Sequence, residues 1–87
     1  MIEEFVGQKV VIDLRSTFVC LGLLQGYNDN FLELRNADLH DLRDTETTRE
    51  LYVADSKSTG IKRNRKRLLL LRTEIVAIAK LDDVVND

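Results

Sequence analysis

From Gln8 onward the apolar positions recur every second residue. Val10, Ile12 and Leu14 alternate with Val11, Asp13 and Arg15, the pattern of a strand with one clean apolar face. The next run, Phe18 to Gln25, is apolar on both sides, with Phe18, Cys20 and Leu24 on one and Val19, Leu21 and Leu23 on the other. A strand of that kind must be covered twice. Phe31 to Ala37 alternates again with Leu32 and Leu34 inward, and Tyr27-Asn28-Asp29-Asn30 before it has the Asn/Asp composition of a tight turn. Ahead of these strands Ile2, Phe5 and Val6 stand at helical spacing before Gly7, which predicts a short amphipathic helix ending at that glycine.

Beyond Leu42 the alternation stops. Thr47-Thr48-Arg49-Glu50 is a capping-box sequence ahead of Leu51, Tyr52, Val53 and Ala54, so a short helix is expected over residues 48–57, with Gly60 just past its end. Two further strands follow, Arg67 to Arg72 around Leu68-Leu69-Leu70-Leu71, and Ile75 to Leu81. Neither shows alternation, and unbroken apolar runs suit strands buried on both sides. In an isolated chain of this size they leave open edges, which edge-to-edge pairing between copies would close, head to tail, into a ring. The tail from Asp82 to Asp87 is expected to fray.

Two glycines, Gly22 and Gly26, interrupt the second strand four residues apart. Glycine weakens a strand interior and is kept where the strand bends hard or another backbone comes close, so a small, strongly curved sheet is expected. The stretch Gly22 to Leu34, preceded by Phe5 to Leu14 and followed by Asn36-Ala37-Asp38, resembles the first motif of the Sm and LSm proteins. That resemblance implies a mostly β fold, a strongly bent five-stranded open barrel with a short N-terminal helix. One such domain over residues 1–87 is implied, with an inserted loop at about 39–66 that carries the extra helix. It also implies assembly into homo-oligomeric rings that bind single-stranded RNA.

A net charge of −2 argues against a nucleic-acid binder until its distribution is read. Lys62-Arg63-Asn64-Arg65-Lys66-Arg67 holds five basic residues in six positions, which leaves −7 on the rest of the chain. Between Asp38 and Asp55, six acidic residues stand against Arg43 and Arg49. Phosphate binding needs several cations close together rather than exact geometry, so the basic run is a candidate RNA contact through Lys62, Arg63, Arg65, Lys66 and Arg67. On a strand, Arg63, Arg65 and Arg67 would share one side. The competing reading is a solvated segment that pairs with the acidic loop.

The resemblance implies nucleotide binding between the turn after the second strand and the turn between the fourth and fifth. Tyr27, Asn28, Asn30, Phe31 and Arg72 then become candidates, because bases stack on aromatic rings or guanidinium planes and amides read their edges. This chain carries Asn28 where the family has aspartate, and Thr73 where a glycine follows the arginine. Asn28 to Asn30 can equally cap a hairpin while Phe31 packs in the core.

Cys20 lies within a strand and reads as a small buried hydrophobe. His40 between Asp38 and Asp41 offers too few ligands for zinc and reads as a surface-loop residue, so no metal and no cofactor are expected. No nucleophile–base pair or phosphate-cradling loop suggests an enzyme or a small-molecule substrate. No run approaches the ~18 apolar residues of a membrane span, and the acidic start Met1-Ile2-Glu3-Glu4 is unlike a secretory signal, so a cytoplasmic protein is expected. The expected function is single-stranded RNA binding by a homo-oligomeric ring closed through the fourth and fifth strands. The alternative is a scaffold ring that docks other proteins through Leu51, Tyr52 and Val53.

Overall fold

The computed structural model describes residues 1–85. Five strands form one antiparallel sheet: β1 (Lys9–Leu14), β2 (Phe18–Tyr27), β3 (Phe31–Asp41), β4 (Arg65–Leu71) and β5 (Ile75–Lys80), in the order β4-β3-β2-β1-β5. β4 and β5 are thus the two edges. The sheet curls around an inner core of Val10, Ile12, Cys20, Leu24, Leu32, Leu34, Ala37 and Leu70, sealed by Ile2, Phe5 and other half-buried residues. Mostly β, strongly bent and open between β4 and β5, it is the fold class expected.

The bend has a visible cause. Pairing between β2 and β3 slips once between Leu21 and Leu23 and again between Leu24 and Gly26, and each slip is a bulge that sharpens the local twist. At the first, Asn36 takes a positive φ of 50°, and a Cβ on Gly22 would stand 3.1 Å from that of Ala37. Gly22 is therefore the close approach that the sequence anticipates. Gly26 is not, since only Glu33 Oε1, at 3.9 Å, comes near its virtual Cβ.

The second apolar face of β2 is covered by α1 (Arg49–Thr59). Val53 on this helix packs with Val11, Val19, Leu21 and Leu81, while half-buried Tyr52 joins the edge of the same cluster. Thr48 caps the helix by accepting from the Leu51 amide at 3.2 Å, one residue later than the Thr47–Glu50 box suggests. Gly60 ends it at φ 98°.

Several boundaries differ from expectation for physical reasons. The N-terminal segment is a 3-10 turn, Ile2–Phe5, held by i→i+3 bonds such as Val6 N to Glu3 O. β3 continues four residues past Ala37, since Asp38 and His40 face α1 instead of solvent, and β2 runs on to Tyr27 because Gly26 and Tyr27 pair with Glu33 and Leu32. β4 opens at Arg65, where arginines on an edge strand stay solvated. The insertion accordingly occupies residues 42–64.

Nor does the tail fray where it is described. Leu81 is buried, and Lys57 Nζ donates to the carbonyls of Asp82 (3.1 Å) and Val84 (2.7 Å). Asn86 and Asp87 lie outside the described residues. No helix among the described residues is long and apolar enough to cross a membrane.

β4 also alternates after all. Leu70 is buried and Leu68 half-buried, whereas the outward Leu69 and Leu71 are 46% and 50% exposed, and Val76 on β5 is 66% exposed. In the single chain these edge strands are covered on one side.

Candidate nucleic-acid interface

The β2–β3 and β4–β5 turns meet at one end of the sheet. Asn28 organises the first: its Oδ1 accepts from the amides of Asn30 (2.9 Å) and Phe31 (2.8 Å), and its own amide donates to the Phe31 carbonyl at 3.0 Å. This is the hairpin-capping role, so the side-chain oxygen of Asn28 is engaged internally. Arg72 opens the second turn, a 3-10 segment over Arg72–Glu74. Its Nη1 donates to the Asn28 carbonyl at 2.7 Å and its amide to the Asn30 carbonyl at 2.9 Å, which locks the turns together. Thr73 has no positive φ, so the turn needs no glycine after Arg72.

Beside this junction lies a depression of about 220 Å³ lined by Tyr27, Asn28, Phe31, Glu33, Arg67 and Leu69. Tyr27 is exposed and Phe31 half-buried, on the outer side of β3. Phe31 pairs with Leu71 across the strands and is not part of the inner cluster, so it does not pack in the core. Two aromatic rings, a guanidinium and a hydrogen-bonding turn are the chemistry for stacking and reading an unpaired base.

Within the basic run only Arg67 reaches this depression. Its Nε donates to Glu33 Oε2 at 2.6 Å, and Arg35 stands 3.9 Å from the same carboxylate oxygen. Arg65 shares the Arg67 side of β4, as two-residue spacing requires, and its Nη1 donates to the Asn64 carbonyl at 3.0 Å. Arg63 precedes the strand and bonds Asn36 Oδ1 at 2.6 Å. Lys62 and Lys66 are exposed. Asn64, in the middle of the run, mimics a strand residue. Its amide donates to the Ala37 carbonyl (2.8 Å), its Nδ2 to the Leu39 carbonyl (3.1 Å), and its Oδ1 accepts from the Leu39 amide (3.0 Å). The basic segment is thereby pinned along β3.

Sequence reasoning missed Glu33, Leu69 and Asn64. The two-residue period of any strand was the available signal for the first two, because it puts Glu33 on the Phe31 side and Leu69 on the Arg67 side. Asn64 offered only its identity, an uncharged residue inside a cationic run.

The other candidates have structural duties. Cys20 is fully buried, and desolvation, with the Asp38 carboxylate nearby, pushes its thiol up to about 12, so it stays protonated. His40 is not a loop residue: it sits on β3 and stacks on Tyr52 at 4.2 Å between ring centroids. The Tyr52 hydroxyl donates to Asp38 Oδ2, and burial followed by that bond raises its pKa. Of Leu51, Tyr52 and Val53, only Leu51 remains as an exposed apolar side chain.

A scan of protein-family models finds none that matches this chain, and no curated protein sequence matches it either. Solved structures do match. A Pyrococcus abyssii Sm protein, determined in complex with a uridine heptamer, superposes with a TM-score of 0.62 at 16% identity, over 91% of this chain and 90% of that one. An Sm-like protein from Archaeoglobus fulgidus gives 0.61 at 18% identity, over 92% and 88%. The chain has the Sm-like fold.

Proposed function

We propose that this Sm-fold chain binds single-stranded RNA and works as a homo-oligomeric ring joined through β4 and β5. The observation that carries the reading is the junction itself, where Arg72 ties the two turns beside a depression walled by Tyr27, Phe31 and Arg67. An unpaired base stacks on the aromatic rings, Arg72 and Asn30 contact its edge or sugar, and Lys62, Arg63, Arg65, Lys66 and Arg67 neutralise the following phosphates. The solved relative with a uridine heptamer supports uridine-rich RNA as the first ligand to try. Exposed Leu69, Leu71 and Val76 on open edge strands support self-association, since apolar edges invite another strand.

The test is a fluorescence anisotropy titration of labelled oligo(U) at two ionic strengths, on protein whose mass is known from light scattering. Binding is expected to weaken with salt by about 0.7 in log K per log unit for each phosphate neutralised. The Arg63→Glu/Arg65→Glu/Arg67→Glu variant should lose it. Undiminished binding by that variant would exclude the basic segment, and no binding by the parent would exclude the RNA reading.

A further inference from the structure

A groove of about 550 Å³ lies between α1, the α1-facing side of β1 and β5, and the tail that follows β5. Its lining includes buried Val11 and Val53, with Ala54 and Ala79 beside them. Leu51 on the helix wall is 57% exposed and Val85 on the tail wall 73%, so apolar side chains meet water on both sides of one concave surface. We propose that this groove docks a short segment of a partner protein, aliphatic in its middle and basic at its flanks. The groove shares no lining residue with the depression beside Arg72 or with the basic run, so the proposal stands apart from the RNA reading.

The walls are set before any partner arrives. Val53 packs with Val11 and Leu81, and the Lys57 bonds to the Asp82 and Val84 carbonyls hold the tail against the helix. A cleft of about 300–1,000 Å³ with a mainly apolar lining and few polar groups is the usual form of a binding site. Charge selects the occupant. At the start of α1, Arg49 is engaged by Asp13 at 3.0 Å and Thr48 already accepts from the Leu51 amide, so little is left there for an anion. Glu50, on the same wall, is exposed and makes no ion pair among the described residues. At the other end Asp82 and Asp83 are exposed on the tail and outnumber Lys57. Both ends are thus negative around an apolar middle. Such a surface repels phosphates and favours lysine or arginine on either side of an aliphatic segment.

The test is an NMR titration of the isotope-labelled full chain with two synthetic peptides, acetyl-Lys-Leu-Val-Leu-Lys-amide and acetyl-Glu-Leu-Val-Leu-Glu-amide. The lysine peptide should shift the amides of Val11, Leu51, Ala54 and Ala79, and should bind about tenfold more tightly than the glutamate peptide, the scale of a few exposed charge contacts. Glu50→Lys should remove about fivefold of that preference. Leu51→Ser should weaken both peptides alike, since it removes an apolar contact and no charge. Both positions are exposed, and circular dichroism checks that the variants fold; the two peptides compared on the parent chain decide the matter without them. Equal affinity for the two peptides, or shifts that miss the groove, would overturn the proposal. So would an oligo(U) titration that moved the same amides, because the groove would then belong to the RNA path.

Discussion

Arg72 and Asn28, 44 residues apart in the chain, are joined by a 2.7 Å bond from the Arg72 guanidinium to the Asn28 carbonyl. Together with the bond from the Arg72 amide to the Asn30 carbonyl, it fixes the two turns relative to each other. Pre-setting of that kind lowers the ordering cost of binding.

Replacing Arg72 by alanine should therefore affect binding more than folding. A hydrogen bond from a charged group is worth about 1.5–3 kcal/mol, and at this partly exposed turn the lower end of that range is expected in urea unfolding. Oligo(U) affinity should drop about tenfold or more, through the lost stacking surface and the loosened turns. Arg72→Lys keeps the charge without the plane, so it should recover the salt dependence but little of the affinity. A lysine variant that binds like the parent would show that charge alone matters at this position.

Glu33 restrains the same site from the other side. Its carboxylate holds Arg67 at 2.6 Å and cancels a positive charge at the edge of the depression. The pair is exposed, so its loss costs only about 0–1 kcal/mol of stability. Glu33→Gln should tighten oligo(U) binding by about two- to fivefold, the scale of one exposed unit-charge interaction at contact distance, and steepen its salt dependence. Unchanged affinity would remove Arg67 from the phosphate path.

What the sequence revealed and what it concealed divide by separation along the chain. The period-two runs of β1 and of β3 as far as Ala37, the helix bounded by Thr48 and Gly60, and the Asn28 turn are local patterns, and each was readable. The demand of β2 for a second cover was readable too, although not that α1 would meet it. The end of β3 was obscured because Asp38 and His40 look like loop residues until Tyr52, 14 and 12 positions on, supplies a hydrogen bond and a stacking face. Asn64 was unreadable for the same reason, since its partner Leu39 lies 25 residues back. At the candidate site the aromatic and arginine types were evident. The opposition of Glu33 to Arg67 emerges only once the β3–β4 register is known.

Acid should weaken the fold in part through Asp41. Arg43 grips its carboxylate through both side chain and backbone, with Thr17 adding a hydroxyl, which holds it well below the usual carboxylate range. A group whose folded pKa is depressed stabilises the protein above its unfolded value and loses that contribution as pH falls toward the folded one. Stability measured by urea unfolding should therefore decline as pH drops below about 4, the ordinary aspartate value. In Arg43→Ala the decline should be shallower. Parallel pH profiles for the two proteins would show that this pair does not govern the acid limb.

The two glycines of β2 offer a matched comparison in one strand. A methyl group on Gly22 would lie 3.1 Å from the Ala37 Cβ, 3.2 Å from its Cα and 3.2 Å from Leu34 Cδ2, all within the bend. Backbone and core would both have to yield. Overpacking of that sort costs about 1–3 kcal/mol, so Gly22→Ala should lower the thermal midpoint by several degrees. Gly26 has no positive φ and an open surround, so alanine there removes unfolded-chain freedom at no steric cost. Gly26→Ala should be neutral or raise stability by up to about 1 kcal/mol. Differential scanning calorimetry on both variants tests whether close approach at Gly22 sets the curvature. Equal losses at the two positions would show that glycine serves the strand in some way other than the bend at residue 22.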